Sequence, residues 1–116
     1  MTGEEVAEAV AAVPRVSPKE AKRLIAEEGA LLIDVREAAE LERTGKLAGA
    51  LHLPLGQILA GGSAFPIDRP LVLYCAAGIR SALAGKGLLD GGHARAFNLG
   101  GFEEVARAGW KVEAPA

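Results

Sequence analysis

The sequence predicts an α/β domain in which a mostly parallel β-sheet is covered on both faces by helices. Strand-like apolar segments alternate along the chain with helix-like segments, at the spacing of βαβ units. The run PLVLYC (70–75) is almost continuously apolar, as expected of a central parallel strand that is buried on both faces. The chain has 116 residues, 50% of them hydrophobic, which is enough for one domain with its own core.

Two helices are predicted before the first of these strands. Residues 4–13 have a helical composition. Further on, Ser17 can accept a hydrogen bond from the backbone amide of Glu20, and the Glu20 side chain can reach back, which makes a capping box. Pro18 suits the first helical position, and Gly29 is placed to end this helix. The remaining predicted elements are strands over 30–37, 50–55, 70–75 and 94–101, a short helix around 57–59, and helices over 80–92 and 102–109.

Composition and charge exclude several classes of partner. The net charge is −2 and both signs are scattered, so nucleic-acid binding is not expected. No apolar run approaches the length of a membrane span and the N-terminus is acidic, so neither membrane association nor a secretory signal is expected. One cysteine cannot form an internal disulfide, and a reducing, cytoplasmic location is the default expectation. One cysteine and two histidines do not predict a structural zinc site, and no cofactor is expected.

The most informative residue is Cys75, which ends the predicted strand 70–75 just before a predicted helix. In parallel sheets, ligands bind outside the carboxyl ends of the strands, where this turn lies. The turn presents successive backbone N–H groups at the positive end of a helix dipole, and Gly78 is free to adopt a positive φ. Such a field stabilises a thiolate, and Arg80 adds a positive charge beside it. The alternative interpretation is that Cys75 is a small buried core residue.

Four spaced motifs resemble those of a known family. They are DVRE (34–37), GKLAGALHLP (45–54), CAAGIRS (75–81) and LGGF (99–102). Together, over residues 15–112, they resemble the single-domain rhodaneses, which are sulfurtransferases. The resemblance implies a three-layer α/β/α rhodanese-like domain with a central five-stranded, mostly parallel sheet, whose first, edge strand is PRV (14–16). The predicted domain covers residues 14–116, and residues 1–13 form an N-terminal extension with a short helix.

The same resemblance implies roles for individual residues. Cys75 matches the family nucleophile that becomes a persulfide. The loop that cradles the transferred sulfur matches Ala76, Ala77, Gly78, Ile79, Arg80 and Ser81. Asp34 and Arg36 match a motif near the same end of the sheet, and we expect them to form a buried ion pair that supports the site. Neither His52 nor His93 is expected to act as a base, so the loop itself must activate the thiol.

Two departures from the family pattern concern packing and turns. Residues 45–50 read GKLAGA where the family usually has GHIPGA. Val105 stands where a tryptophan is usual, and Trp110 comes later. These changes bear on loop geometry rather than on the thiol.

Three classes of function are compatible with the turn. The favoured one is a sulfurtransferase that moves sulfane sulfur from thiosulfate or a persulfide donor to a thiol or cyanide acceptor through a Cys75 persulfide. The second is a non-enzymatic persulfide carrier or sulfur-relay module. The third is a phosphatase or arsenate reductase, whose loop needs one residue more than the four that separate Cys75 from Arg80. The shorter loop suits a single sulfur atom and disfavours this third class.

The expected partners are a small sulfur donor, such as thiosulfate or a persulfide, and a thiol protein as acceptor. Ala76 and Ala77 place no charge in the loop, so the extra cation that would favour thiosulfate is missing. This favours a persulfide donor. The sequence leaves the physiological donor and acceptor, the pathway and the oligomeric state open.

Overall fold

Four parallel strands form the centre of the molecule, with helices on both faces. The computed structural model describes residues 2–61, 65–66 and 68–115. In chain order the elements are α1 (Gly3–Ala12), α2 (Pro18–Glu28), β1 (Leu31–Asp34), α3 (Ala38–Thr44), β2 (Lys46–Leu47), β3 (Leu51–His52), α4 (Leu55–Leu59), β4 (Leu71–Cys75), α5 (Ile79–Asp90), β5 (Ala96–Gly101), α6 (Phe102–Arg107) and β6 (Val112–Glu113). Within the described ranges, no helix has the length and apolar character needed to cross a membrane.

The sheet has the strand order β3–β1–β4–β5, and every neighbouring pair is parallel. Asp34 at the end of β1 lies opposite Tyr74 in β4, one residue before Cys75. Parallel pairing therefore brings the carboxyl ends of β1 and β4 to the same edge of the sheet. The predicted three-layer α/β/α class is confirmed.

The edge strand expected over 14–16 is shorter than predicted. It is a single parallel bridge between Arg15 and Asn98. The amide of Val16 donates to the carbonyl of Asn98 at 3.1 Å, and the amide of Asn98 donates to the carbonyl of Pro14 at 2.8 Å. Pro14 has no N–H to extend the pairing, and α2 begins soon afterwards, so the segment cannot form a full strand. Within the described residues, the sheet has four strands, and this one-residue contact stands in place of the fifth.

The central strand β4 explains the continuous apolar run of the sequence. All five of its residues are buried. Val72 and Tyr74 pack into one core layer with residues of α2 and α6, whereas Leu71, Leu73 and Cys75 pack into the other layer with residues of α4 and α5. Because neighbouring side chains of a strand point to opposite faces, a strand covered on both sides is apolar throughout.

The helix caps follow the sequence in part. The Ser17 hydroxyl accepts a hydrogen bond from the amide of Glu20 at 3.1 Å, and Gly29 ends α2 in the left-handed conformation with φ 67°. The Glu20 carboxylate does not reach back to the cap, because it binds Arg23 instead. A reciprocal capping box is found at α3, which was not predicted, between Glu37 and Glu40.

A second, two-stranded sheet was also not predicted. β2 and β6 pair in antiparallel fashion, with Lys46 opposite Glu113. Gly45 precedes this pair with φ 76°, and a Cβ at this position would lie 2.1 Å from the carbonyl oxygen of Glu113. The indole of Trp110 donates to the carbonyl of Ala48 at 3.1 Å. Trp110 thus holds the segment 45–50, in which the sequence departs from the family pattern.

Helix α1 packs against α5 through small residues. Ala9 and Val13 are buried, and Val13 lies so close to Gly85 that a Cβ on this glycine would be 2.9 Å from Val13 Cγ1. The N-terminal segment therefore covers the outer face of α5, the helix that begins at the end of the Cys75 loop.

We expect Val13→Ala to lower the free energy of unfolding by roughly 1–3 kcal/mol, because it removes two buried methyl groups and leaves a cavity beside α5. Urea denaturation measures this loss. Val10→Ala is the matched control, since Val10 lies in α1 only three residues before Val13 but is 50% exposed. Equal effects of the two substitutions would show that α1 is not held by burial of Val13.

Candidate active site

The thiol of Cys75 lies at the point where β4 ends and the chain turns into α5. Only 1% of the residue surface is exposed. The turn is made possible by Gly78, which caps α5 in the left-handed conformation with φ 92°. A Cβ there would lie 3.3 Å from the Cα of Gly100, so the loop is also pressed against β5.

Hydrogen-bond donors surround the sulfur atom. The amide of Gly78 donates to Sγ at 3.0 Å, and the amide of Ser81 donates to it at 3.4 Å. The hydroxyl oxygen of Ser81 lies 3.4 Å from the same sulfur. Burial raises the pKa of the Cys75 thiol, but the Ser81 side chain and the amides of Ser81, Ala77 and Gly78 outweigh burial and hold the pKa below its ordinary value. The loop thus favours a thiolate.

The outer side of the loop carries no charge. Ala76 and Ala77 are exposed, and so is Ile79, at 45%. A cavity of about 320 Å³ opens beside Ala76, and its charged lining residues include Arg43 and Glu103. A ligand that approaches the sulfur therefore contacts the uncharged side chains of Ala76, Ala77 and Ile79 first. Charged groups of both signs lie to one side of it, in the cavity.

Arg80 does not stand alone beside the thiol. Its guanidinium makes two hydrogen bonds of 2.7 Å each to the carboxylate of Glu40 in α3. Glu40 also accepts a hydrogen bond from the amide of Glu37. The Arg80 guanidinium, with this amide, lowers the pKa of Glu40 to about 2, although burial acts in the opposite direction. The expected positive charge is therefore present but is largely balanced by its partner.

Asp34 and Arg36 form a buried ion pair at the end of β1. The Arg36 side chain donates to both carboxylate oxygens of Asp34, at 2.8–3.1 Å. It also donates to the Thr44 hydroxyl at 2.9 Å and to the carbonyl of Gly45 at 2.8 Å. Its guanidinium lies 4.3 Å from the centre of the Phe102 ring. The pair thus links β1 to the end of α3 and to α6, and its supporting role in the site stays a prediction.

The structure identifies one residue of the loop region that sequence reasoning missed. The side chain of Asn98, in β5, contacts both Gly78 and Ser81. The signal in the sequence was a single polar residue in the otherwise apolar strand AFNLGG. Burial of an amide requires hydrogen-bond partners, and these partners lie in the cysteine loop.

The histidines do not approach the thiol as a base would. His52 Nε2 lies 2.7 Å from the carbonyl oxygen of Arg36, and His93 Nε2 lies 3.1 Å from that of Pro66. No group of three or more His, Cys, Asp or Glu within the described part of the chain is arranged to hold a metal ion.

Comparison with known proteins defines the family. Residues 17–108 match the model of the rhodanese-like domain, so the chain belongs to the rhodanese-like domain family. It is 40% identical over 95 residues to a sulfurtransferase of Allochromatium vinosum, covering 81% of this chain and 88% of that protein. It is 30% identical over 103 residues to the thiosulfate sulfurtransferase GlpE of Actinobacillus succinogenes, covering 88% of this chain and 92% of that one.

Solved structures show the same fold. The polysulfide-sulfur transferase of Wolinella succinogenes, described as a homodimer, superimposes with a TM-score of 0.78 at 29% identity, covering 96% of this chain and 85% of that one. A protein of Rhodopseudomonas palustris, described as of unknown function and a possible tyrosine phosphatase, has a TM-score of 0.78 at 32% identity, covering 94% and 91%. The resemblance to the rhodaneses is thereby confirmed, and the chain is a rhodanese-type transferase homologue.

We expect Asp34→Ala to lower the free energy of unfolding by about 3–5 kcal/mol, because it leaves the buried Arg36 cation without its partner. Thermal and urea denaturation measure the loss. Glu103→Ala is the control, since its ion pair with Arg107 is exposed to solvent and should leave the melting temperature essentially unchanged. A small loss for Asp34→Ala would mean that Arg36 can reach water without Asp34.

The Glu40–Arg80 pair predicts a pH dependence of stability. The carboxyl has a pKa of about 2 in the folded chain against an ordinary value of 4.5, so the stabilisation is complete above pH 4.5 and is lost as the pH falls toward 2. Glu40→Gln should therefore be less stable than the unsubstituted chain near neutral pH, and the gap should close between pH 4.5 and about 2. Urea denaturation across this range measures the gap. A gap that does not change with pH would contradict the pairing.

Proposed function

We propose that this protein is a sulfurtransferase that carries sulfane sulfur on Cys75, taking it from thiosulfate or a persulfide and giving it to a thiol or to cyanide. The observation that carries the proposal is that the backbone amides of Gly78 and Ser81 donate to the buried sulfur. These donors stabilise an anionic sulfur without a basic side chain. The family membership supports the same class of reaction.

The reaction runs in two displacements at sulfur. In the first, the Cys75 thiolate attacks the outer sulfur of the donor, and a new S–S bond forms with the electron pair of the thiolate. The donor's own bond to that sulfur breaks, and sulfite leaves with the bonding pair when the donor is thiosulfate, or a thiolate when it is a persulfide. In the second, the acceptor thiolate or cyanide attacks the terminal sulfur, and Cys75 leaves as a thiolate. No oxidant or reductant beyond donor and acceptor is consumed.

The shape of the loop supports a sulfur atom as the transferred group. Cys75 is buried, so a donor must present a terminal atom at the base of the loop. The four residues that separate Cys75 from Arg80 make a narrower cradle than the phosphatase loop, which holds a tetrahedral oxyanion. The similarity to a structure described as a possible tyrosine phosphatase lies in the fold, and the loop length favours sulfur transfer over phosphatase or arsenate reductase activity.

The uncharged rim favours a persulfide donor over thiosulfate. Ala76, Ala77 and Ile79 are exposed around the loop, and Arg80 is balanced by Glu40. A dianion such as thiosulfate gains little binding energy from this uncharged surface. A persulfide on a small molecule or on a protein can instead bury apolar atoms against it. The names of similar proteins include both thiosulfate and polysulfide as the sulfur compound. A reducing compartment such as the cytoplasm suits a reaction that depends on one free thiol.

The runner-up is a persulfide carrier in a sulfur relay, which would use the same cysteine. It differs in needing a partner protein for the second displacement. The number of turnovers with a small acceptor separates the two. With cyanide as acceptor, the enzyme forms many molecules of thiocyanate per chain, whereas a pure carrier forms no more than one in the absence of its partner protein.

We expect Cys75→Ser to abolish thiosulfate:cyanide transfer, measured as thiocyanate formation, because no other thiol is present in the chain. The substitution is nearly isosteric, so the circular dichroism spectrum should not change. His52→Ala should retain transfer, since His52 contacts a backbone carbonyl rather than the sulfur.

Transfer by Cys75→Ser above a few per cent of the original rate would place the chemistry elsewhere. Loss of transfer in a folded His52→Ala variant would instead point to a cysteine–histidine pair. The same proteins test the phosphatase alternative with a small aryl phosphate, and hydrolysis that disappears in Cys75→Ser would overturn the argument from loop length.

A further inference from the structure

Asn98 is a buried amide in the middle of an apolar strand. It is only 2% exposed, and the strand register shifts directly after it, so that Leu73 lies opposite Asn98 whereas Tyr74 lies opposite Gly100. The irregularity, a β-bulge, leaves Leu99 without an opposite residue in β4 and brings the amide of Gly100 to the Asn98 side chain. Asn98 itself lies on the same face of the sheet as its neighbour Leu73 and as Cys75, so its side chain reaches the loop that begins at Cys75.

All the polar atoms of this side chain have partners. Oδ1 accepts a hydrogen bond from the amide of Gly100 at 3.0 Å and one from the Ser81 hydroxyl at 2.8 Å. Nδ2 donates to the carbonyl of Gly78 at 2.9 Å. These two backbone partners fix the orientation of the side-chain amide. A flipped amide would place Nδ2 against the N–H of Gly100 and Oδ1 against the carbonyl of Gly78.

The contact with Gly78 holds the donor that lies nearest to the sulfur. Gly78 has φ 92°, and its amide points at Cys75 Sγ from 3.0 Å. With the Gly78 carbonyl tied to Asn98 Nδ2, the residue is fixed at both ends of its backbone. The left-handed conformation that aims the amide at the sulfur therefore depends on the Asn98 side chain.

The contact with Ser81 determines where the single hydroxyl proton lies. Because Asn98 Oδ1 can only accept, the Ser81 hydroxyl donates to it and turns a lone pair toward Cys75 Sγ, 3.4 Å away. In the thiol form, the S–H group can donate to this lone pair. In the anionic form, the hydroxyl must turn toward sulfur, and Asn98 Oδ1 keeps only the Gly100 amide.

We propose that Asn98 is a positioning residue of the reaction, which sets the reactivity of Cys75 by fixing the Gly78 amide and the Ser81 hydroxyl. The inference rests on the proposed function in taking Cys75 as the reacting group. It assigns Asn98 no contact with the donor or the acceptor. Its effect is transmitted through two hydrogen bonds of the loop.

Several charged side chains lie near the site without a hydrogen bond to Asn98. They are Asp34 and Arg36 at the end of β1, Glu40 in α3, Arg80 in α5, Glu103 and Glu104 in α6, and Arg15 on the far side of β5. Asn98 forms no hydrogen bond with any of these side chains, so substitution by alanine changes the hydrogen bonds of the loop and not its charges.

The test is the pH dependence of Cys75 alkylation by iodoacetamide, followed as intact mass. In the Ser81→Ala background, where no hydroxyl can be released toward the sulfur, Asn98→Ala should raise the apparent pKa of the thiol by about one unit, because it frees the Gly78 amide that donates to Sγ. Sulfur loading from thiosulfate at neutral pH should slow by about tenfold. Asn98→Asp keeps the shape of the side chain, so it guards against loss of fold, and its carboxylate should raise the pKa further.

Leu99→Ala is the matched control, since Leu99 is the neighbouring buried residue of β5 and packs into the core layer of α2 and α6. It should lower the melting temperature while leaving the alkylation profile unmoved. An unchanged or lowered pKa in folded Ser81→Ala/Asn98→Ala, compared with Ser81→Ala alone, would overturn the proposal. Alkylation needs no sulfur donor, so it tests Asn98 even if the chain transfers no sulfur, and failure of transfer with a normal pKa shift would count against the proposed function alone.

Discussion

The structure depends on one constraint: a sulfur atom inside the protein must be able to carry a negative charge. An anion removed from water is costly unless hydrogen-bond donors replace the lost solvent. The amides of Gly78 and Ser81 take this place around Cys75, and they can do so because the chain turns sharply at a left-handed glycine. The end of β4, the start of α5 and the close approach of β5 all serve that turn.

Paired charges hold the loop without adding a strong net field. Arg80 joins the first turn of α5 to Glu40, and the buried Asp34–Arg36 pair joins the end of β1 to Thr44 and Gly45. A site built in this way is nearly neutral at its mouth, and its anion is stabilised by aimed dipoles. Under the proposed function, the same dipoles would stabilise both the Cys75 thiolate and the anionic sulfur of a persulfide.

Much of the fold and the centre of the site could be predicted from the sequence, because the signals are local. The position of Cys75 follows from an apolar run and a glycine-containing turn within a few residues, and Gly78 follows from the turn itself. The partners of the loop could not be predicted in this way. Glu40 meets Arg80 across 40 residues of sequence, and Asn98 reaches the loop only because β5 lies beside β4. Such contacts depend on how the strands are arranged, and a single sequence carries no local record of that arrangement.

The most direct test of the account is the intact mass of the chain after incubation with thiosulfate or with a small persulfide. The account predicts a gain of one sulfur atom per chain, located on Cys75, which is lost on addition of cyanide with formation of thiocyanate. Faster loading from the persulfide than from thiosulfate would agree with the uncharged rim of the loop. No gain with either donor, or the same gain in Cys75→Ser, would contradict the claim that this thiol carries the transferred sulfur.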